Sequence, residues 1–185
     1  MSILKVAHMG HPVLRARAQP IDPADIKSPR IQQLIDDMFE TMNEYNGVGL
    51  AAPQVHEGLR LFVAGFPSRG NDRDDDDEVR VPQMVIINPE ITPLSSNTDD
   101  DWEGCLSIPE VRGRVPRARE IEVKAYDRRG RRVSLHARGF TARVIQHETD
   151  HLDGVLFLDR MTSLQTLTYL EEFNRYWSER DVPEE

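Results

Sequence analysis

The sequence predicts an α+β fold in which short, mostly antiparallel strands surround a central metal-binding helix, with a further helix at the C terminus. Three observations lead to this prediction. Apolar residues recur at helical spacing in several segments, short stretches alternate apolar and polar residues, and one glycine-containing turn joins two such stretches. A length of 185 residues suits one core, so residues 1–185 are predicted to form a single domain.

A helix is the clearest early element. Ser28 can cap its N terminus, Pro29 suits its first turn, and Gly47 lies where the helix would end. Its apolar face comprises Ile31, Leu34, Ile35, Met38, Phe39, Met42 and Tyr45. Strands are predicted next at residues 60–64 and 84–88.

A hairpin and two helices complete the predicted order. Residues 120–127 alternate apolar and polar side chains, and a turn at 128–130 leads into a strand at 132–137. A helix with apolar flanks follows between the glycines at 139 and 154. A last helix is predicted from about 163 to 180, with one apolar side formed by Leu164, Leu167, Leu170, Phe173 and Trp177.

Two acidic stretches are interpreted as loops. Residues 67–80 contain the run Asp-Asp-Asp-Asp-Glu and are predicted to be a flexible acidic loop, because neighbouring like charges repel. The run of three aspartates at 99–101 is interpreted as a second polar loop.

Composition excludes several classes of function. A net charge of −9 leaves no overall basic surface, so direct nucleic-acid binding is not expected. The N-terminal residues lack the apolar core of a signal peptide, and no apolar run reaches membrane-spanning length, so membrane binding is not expected either. One cysteine suits a reducing compartment, and a cytoplasmic location is expected.

The sequence His147-Glu148-Thr149-Asp150-His151 carries the strongest chemical signal. Residues four apart lie on one face of a helix, so His147 and His151 can bind one metal ion. Glu148 lies about 100° around the helix from His147, where it can reach a water bound to that metal. This arrangement is typical of metal-assisted hydrolysis.

The residues alone leave the third metal ligand open. A metzincin would place histidine where this chain has Phe157, so that class is excluded. A thermolysin-like peptidase would use a glutamate from a later helix, such as Glu171. The third candidate is Cys105, the single cysteine. A structural zinc module would need a fourth protein ligand, and no further Cys or His stands at suitable spacing.

Three motifs in order give a family resemblance. The stretch Gly47-Val48-Gly49-Leu50-Ala51-Ala52-Pro53-Gln54 is followed by Glu103-Gly104-Cys105-Leu106-Ser107 and then by the His-Glu motif. This combination resembles the peptide deformylase family over roughly residues 5–160, and it favours an active enzyme over a family member that has lost activity. The resemblance implies Cys105, His147 and His151 as metal ligands.

The resemblance also implies the reaction. In the family, metal-bound water attacks the formyl carbon of an N-formylmethionyl nascent polypeptide, which yields formate and a free amino terminus. Glu148 would act as general base and then general acid, while Gln54 and the backbone N–H of Leu106 would stabilise the oxyanion. The expected cofactor is one divalent metal ion, commonly Fe(II) in the family, with Zn, Ni or Co compatible with the same donors. A transient ribosome contact would accompany such a substrate.

Substrate-binding residues follow from the same resemblance. Gly49 would hydrogen-bond the substrate backbone, and Val48, Phe140 and Val144 would border the pocket for the methionine side chain. Arg112 is assigned to the downstream part of the substrate. Arg143 stands where some relatives have an aliphatic residue, which leaves the polarity of the pocket rim open, and Glu103 is expected to pair with Arg117.

Overall fold

Two antiparallel sheets form the framework of the protein. In residues 2–66 and 81–178, which the computed structural model describes, a five-stranded sheet has the order β1-β2-β3-β6-β7 and a three-stranded sheet has the order β4-β5-β8. The strands are β1 (Gly49–Ala51), β2 (Leu61–Ala64), β3 (Met84–Pro93), β4 (Thr98–Cys105), β5 (Ile108–Ala118), β6 (Glu120–Tyr126), β7 (Arg132–Arg138) and β8 (Thr168–Tyr169). The predicted acidic loop at 67–80 lies outside the described residues.

Four α-helices accompany the sheets in the described part of the chain: α1 (Pro29–Glu44), α2 (Gly139–Leu152), α3 (Phe157–Arg160) and α4 (Leu170–Tyr176). The predicted α+β class is therefore confirmed, including a C-terminal helix and a central helix, α2, that carries the His-Glu motif. None of these helices has the length and apolar character needed to cross a membrane.

Helix α1 forms where the sequence predicts it. The Ser28 hydroxyl accepts a hydrogen bond from the Ile31 N–H, and Pro29 occupies the first turn, where its missing N–H costs nothing. The helix ends at Glu44, and its apolar face packs on β1 and β2. The buried members of this face are Ile31, Leu34, Ile35, Met38 and Met42.

The predicted hairpin is β6–β7. Its register runs from Glu120 opposite Arg138 to Tyr126 opposite Arg132, as the alternation of side chains requires. The apolar side of β6 is buried and packs in the same core cluster as α2, whereas the polar side faces outward.

The interpretation of residues 99–101 as a loop is wrong. These aspartates belong to β4, which pairs along its whole length with β5 and thereby forms the longest hairpin of the described structure. The reason is the backbone ladder with β5, and nearby arginines compensate the charges: Asp100 contacts Arg114 of β5 at 3.3 Å, and Asp99 contacts Arg119, which directly follows β5, at 3.4 Å. The aspartates therefore do not repel one another into a disordered segment.

The predicted helix at 163–180 is much shorter in the structure. Residues Leu164–Thr166 form a 3₁₀ turn, and Thr168–Tyr169 form β8 against the edge of β5, so that α4 begins only at Leu170. The edge of β5 offers backbone hydrogen-bond partners to residues 168–169, and a helix at these positions would leave those partners unused. Within α4, Phe173 packs edge-on against Trp102 of β4, with ring centroids 5.0 Å apart.

Helix α2 lies at the centre of this arrangement. It contacts β1 and β2 of the larger sheet and β5 of the smaller one. Ala142, Val144, Ile145 and Leu152 are buried in the core cluster shared with the larger sheet. Because α2 is packed from both sides, its polar residues are also enclosed, and they form the candidate site.

Position 154, two residues after the end of α2, is predicted to require glycine. Gly154 has a φ of +74°, and a Cβ there would lie 2.7 Å from the carbonyl oxygen of Arg15. Gly154→Ala should therefore lower the free energy of unfolding by at least about 1–2 kcal/mol, the cost of the left-handed conformation for a residue with a Cβ. Gly58→Ala is the matched control, since a Cβ at Gly58 meets nothing within 4 Å. Urea unfolding of both variants measures the difference, and equal stability would contradict the prediction.

Candidate active site

Three buried side chains bring metal-binding atoms together. Cys105 is the last residue of β4, and His147 and His151 lie one turn apart on α2. One donor atom from each residue lies within 4.8 Å of the others, and Cys105 Sγ is 3.2 Å from His151 Nε2. Among the described residues this is the one cluster of its kind. A thiolate and two imidazoles are donors that Zn, Fe, Co and Ni accept, so the residues fit a divalent metal and leave a coordination position open.

The charge state of Cys105 suits metal binding. Burial opposes ionisation of the thiol, but the nearby His151 and His147 hold the pKa of Cys105 well below its usual value. A thiolate is the form that binds a metal. Glu171, the alternative third ligand, lies exposed on α4 and pairs with Arg175 at 3.1 Å, so the thermolysin-like alternative lacks its ligand.

The orientation of His147 is set by Glu103. His147 Nδ1 lies 2.8 Å from Glu103 Oε2, which leaves Nε2 directed toward the other donor atoms. Burial opposes ionisation of Glu103, but hydrogen bonds from His147 and Arg117 outweigh it and hold the pKa of Glu103 far below its usual value. The carboxylate is therefore charged. His151 Nδ1 has no hydrogen-bond partner within the described residues. Of the two histidines, His147 is therefore the one whose ring is oriented by a contact at Nδ1.

Two arginines share the Glu103 carboxylate. Arg117 donates to both oxygens, with Nε 2.9 Å from Oε1 and Nη2 3.0 Å from Oε2, as the sequence predicts. Arg143 Nη1 also donates to Oε1 at 2.9 Å. The question that Arg143 raises about the pocket rim has a structural answer: its guanidinium is buried between α2 and the β4–β5 hairpin and is compensated by Glu103.

Asp150 is a member of this network that the sequence reasoning missed. Its carboxylate accepts hydrogen bonds from Arg117 and from Arg160 of α3, the latter at 2.7 Å. The sequence does indicate the position of Asp150 through its helical spacing. Arg143, His147 and Asp150 stand at helical positions i, i+4 and i+7, so one stripe of α2 faces the hairpin with charged and polar groups.

Glu148 lies on a different face of α2, against β1. A Cβ added at Gly49 would lie 2.3 Å from Glu148 Oε1, so only glycine at this position leaves room for the carboxylate. The other oxygen, Oε2, is buried without a hydrogen-bond partner among the described residues. Burial raises the pKa of Glu148 to about 7, and the charges of His147 and His151 partly oppose this rise. A carboxylate with such a pKa can both accept and release a proton near neutral pH.

Gln54 and Leu106 stand on either side of Cys105. Gln54 lies in the 3₁₀ turn Ala52–Val55; its Oε1 accepts a hydrogen bond from the Ala51 N–H at 2.8 Å, and its Nε2 lies 3.5 Å from Cys105 Sγ. Leu106 follows Cys105 in the turn between β4 and β5. Ser107, which the sequence analysis gave no role, accepts a hydrogen bond from Gln54 Nε2 at 3.1 Å.

The N-terminal segment supports the same two elements. The Ala7 N–H donates to the carbonyl of Gln54 at 2.7 Å, and the Met9 N–H donates to the carbonyl of Ser107 at 2.8 Å. Both backbone segments beside Cys105 are thus held by one extended stretch of chain.

The proposed substrate-binding residues do not form one group. Val48, Phe140 and Val144 pack in the same core cluster, with Val48 and Phe140 half-buried and Val144 buried. Gly49 begins β1, an edge strand of the larger sheet. Arg112 lies opposite Gly104 in the register of β5 against β4, and its guanidinium lies over that glycine.

A mixed helix and antiparallel-sheet fold with an enclosed Cys–His–His cluster and a carboxylate beside it has the arrangement typical of metal-dependent hydrolases. The chain belongs to the polypeptide deformylase family, whose family model matches residues 3–167. The resemblance predicted from three motifs is confirmed. Membership in the family implies removal of the N-formyl group from nascent peptides.

Named relatives cover nearly the whole chain. Peptide deformylase 1 of Bordetella pertussis is 47% identical over 166 residues, which are 90% of this chain and 92% of the relative. Peptide deformylase 2 of Pseudomonas putida is 46% identical and covers 91% and 93%. A crystal structure of class I type b peptide deformylase from Acinetobacter baumannii with Met-Ala-Ser bound is 41% identical. It has a TM-score of 0.77 and covers 86% of this chain and 100% of that one. The peptide deformylase structure from Thermotoga maritima is 39% identical, with a TM-score of 0.76 and coverage of 88% and 100%.

The donor cluster predicts that metal binding stabilises the folded protein. A divalent metal at a free concentration 100 times its Kd should raise the free energy of unfolding by about 2.7 kcal/mol, because it binds the native state. Cys105→Ser should lose most of this increase, since a neutral hydroxyl replaces the thiolate. His136→Asn on the exposed face of β7 is the control and should keep it. Thermal melts of metal-free and metal-loaded protein measure the effect, and full stabilisation of Cys105→Ser would contradict the ligand assignment.

Proposed function

We propose that the protein hydrolyses the formyl amide of N-formylmethionyl polypeptides and releases formate and a free amino terminus. The observation that carries this proposal is the placement of Glu148 beside the Cys105, His147 and His151 donors in an enclosed site. A Met-Ala-Ser peptide occupies the Acinetobacter baumannii relative, which supports a peptide with methionine at its first position as the substrate class.

Cys105, His147 and His151 would hold one divalent metal ion, for which Fe(II) is favoured by the family and Zn, Ni or Co by the same donors. When bound, such an ion supplies a Lewis acid that lowers the pKa of a coordinated water and polarises the formyl oxygen. Glu103 contributes by holding His147 in one tautomer and orientation through the contact at Nδ1.

Glu148 is the proposed general base and acid. It would take a proton from the attacking water and deliver it to the leaving amine. The raised pKa, about 7, suits both halves of this transfer. Its carboxylate is kept free for this purpose, because Oε2 has no protein hydrogen-bond partner in the described residues and Gly49 leaves room for Oε1.

Gln54 and the Leu106 N–H are the proposed donors to the oxygen that gains charge as the formyl carbon becomes tetrahedral. Gln54 is suited to this role because its amide is fixed at both ends, by the Ala51 N–H and by Ser107 Oγ. The plane of the amide is therefore held in one orientation before the charge develops. Leu106 directly follows the proposed ligand Cys105, so its N–H would lie near the reacting atoms.

The substrate would lie along β1. Among the described residues β1 is an edge strand, so an extended peptide could pair with its outer side, and Gly49 is the proposed partner. Val48, Val144 and Phe140 would border the methionine side chain, and Arg112 would meet the downstream part of the peptide. The substrates are proposed to be nascent polypeptides in the cytoplasm, and a transient ribosome contact would bring their amino termini to the site.

Formate release tests the proposed function directly. Metal-loaded protein should release one formate per formyl-Met-Ala-Ser consumed, and Glu148→Gln should lower turnover roughly 10²–10⁴-fold, the usual contribution of an acid–base group. The variant should retain its metal, because Glu148 is not among the proposed ligands. Glu44→Gln at the exposed end of α1 is the control and should match the wild type. Near-normal turnover of Glu148→Gln, or loss of its metal, would show that the assigned role is wrong.

Gln54→Ala tests the oxyanion donor. Loss of one such donor should lower kcat roughly 10²-fold, about 2.7 kcal/mol, with KM little changed, because the interaction strengthens only as charge develops. Steady-state kinetics on the same formylated peptide separate the two parameters. A rise in KM with unchanged kcat would instead assign Gln54 to substrate binding.

A further inference from the structure

We propose that Arg143 is a positioning residue for His147 and acts through Glu103. This inference rests on the proposed ligand set and adds a residue to which the three sequence motifs give no role. Arg143 is 4% exposed and lies one helical turn before His147 on the stripe of α2 that faces the β4–β5 hairpin.

The guanidinium of Arg143 joins two structural elements. Nη1 donates to Glu103 Oε1 at 2.9 Å and to the carbonyl of Val115 at 2.7 Å, and Nη2 donates to the carbonyl of Asp99 at 2.7 Å. The planar fork of arginine can serve these acceptors simultaneously, which an aliphatic residue cannot do and a lysine can do only in part. Helix α2 is thereby fixed to both strands of the hairpin whose first strand, β4, ends at Cys105.

The contact with Glu103 makes Arg143 more than a connection between elements. Glu103 accepts four hydrogen bonds: two from Arg117, one from Arg143 and one from His147. Oε1 is occupied by the two arginines, so the carboxylate cannot rotate to another arrangement without losing charged partners. Oε2 is thus held where it meets His147 Nδ1.

Arg117 alone cannot provide the same support. Its third nitrogen, Nη1, donates to Asp150, so one guanidinium serves two buried carboxylates. Arg160, the other partner of Asp150, has a half-exposed side chain, which weakens its compensation of charge in the interior. Arg143 supplies the second enclosed positive charge, and without it Glu103 would compete with Asp150 for Arg117.

Cobalt(II) binding measures the effect on the site without reference to turnover. Arg143→Met should weaken cobalt affinity by roughly 10–100-fold, the usual cost of removing a group that orients a metal ligand. It should also change the visible cobalt absorption bands, which report the geometry of the ligands. Arg143→Lys keeps a charge beside Glu103 and should recover part of the affinity. Competition with a chromogenic chelator gives the Kd values.

Gln146→Leu is the matched control for a purely structural connection. The Gln146 side-chain amide also ties α2 to the hairpin, through both backbone groups of Ala118 at 2.9 and 3.0 Å, but it does not contact Glu103. This variant should lower the melting temperature of the metal-free protein and leave cobalt affinity and spectrum unchanged. If Arg143→Met behaves in the same way, the inference is overturned.

A double-mutant cycle decides whether Arg143 acts through Glu103. In the Glu103→Gln background, Arg143→Lys should change cobalt affinity far less than it does in the wild type, because the shared carboxylate is already gone. Independent effects that simply multiply would overturn the inference. The cycle uses Arg143→Lys, which conserves the charge at position 143, so it also decides the matter if Arg143→Met does not fold. Failure of the wild type itself to bind cobalt would instead overturn the ligand set on which the inference rests, which separates the two failures.

Discussion

The buried carboxylate of Glu103 is the group on which the candidate site depends. An unpaired charge in this position would carry a large desolvation cost, so the fold must bring donors to it. The donors come from β5, through Arg117, and from α2, through Arg143 and His147. Satisfying one charge therefore fixes the separation of strand and helix. Because Cys105 stands two residues after Glu103, the same requirement brings the thiol to the histidines.

Two faces of α2 hold different parts of the candidate site. One stripe, at positions 143, 147 and 150, meets the charged groups of the hairpin, and Glu148 meets β1 and the edge of the larger sheet. The packing on each side is different in kind: ion pairs and hydrogen bonds on the first, close approach to a glycine on the second. The helix is held too firmly from both sides to turn about its axis, which keeps the proposed base and the proposed ligands in a fixed relation.

Local spacing made part of the structure predictable from the sequence. The helix α1 with its Ser28 cap, the β6–β7 hairpin and the helix bearing the two histidines all follow from patterns that extend over a few residues. The Glu103–Arg117 pair was expected as well, although the residues are 14 apart in the chain. The donor cluster could be assembled only with the help of the family resemblance, because spacing alone left Cys105 and Glu171 as alternatives.

Features determined by distant partners were not predictable in the same way. Strand β4 is not predictable in this way because its partners are distant: Asp100 pairs with Arg114 of β5, and the backbone carbonyl of Asp99 accepts a hydrogen bond from Arg143. The last helix was overestimated because an apolar pattern at helical spacing does not reveal that residues 168–169 have a strand edge available for pairing. Arg143 replaces the aliphatic residue of some relatives, and only its burial against Glu103 shows that its charge is used inside the protein.

The contacts of the N-terminal segment have a consequence for folding. Residues 7 and 9 hold the backbone of residues 54 and 107, and Cys105 meets His151 across 46 positions of sequence. Contacts so widely separated in the chain require long loops to close, which costs entropy before the contact stabilises anything. The donor set is thus a product of the completed topology and not of any segment folding alone. A nascent copy of this chain would gain its metal-binding competence only once its own synthesis had passed α2, and metal capture would mark the end of folding.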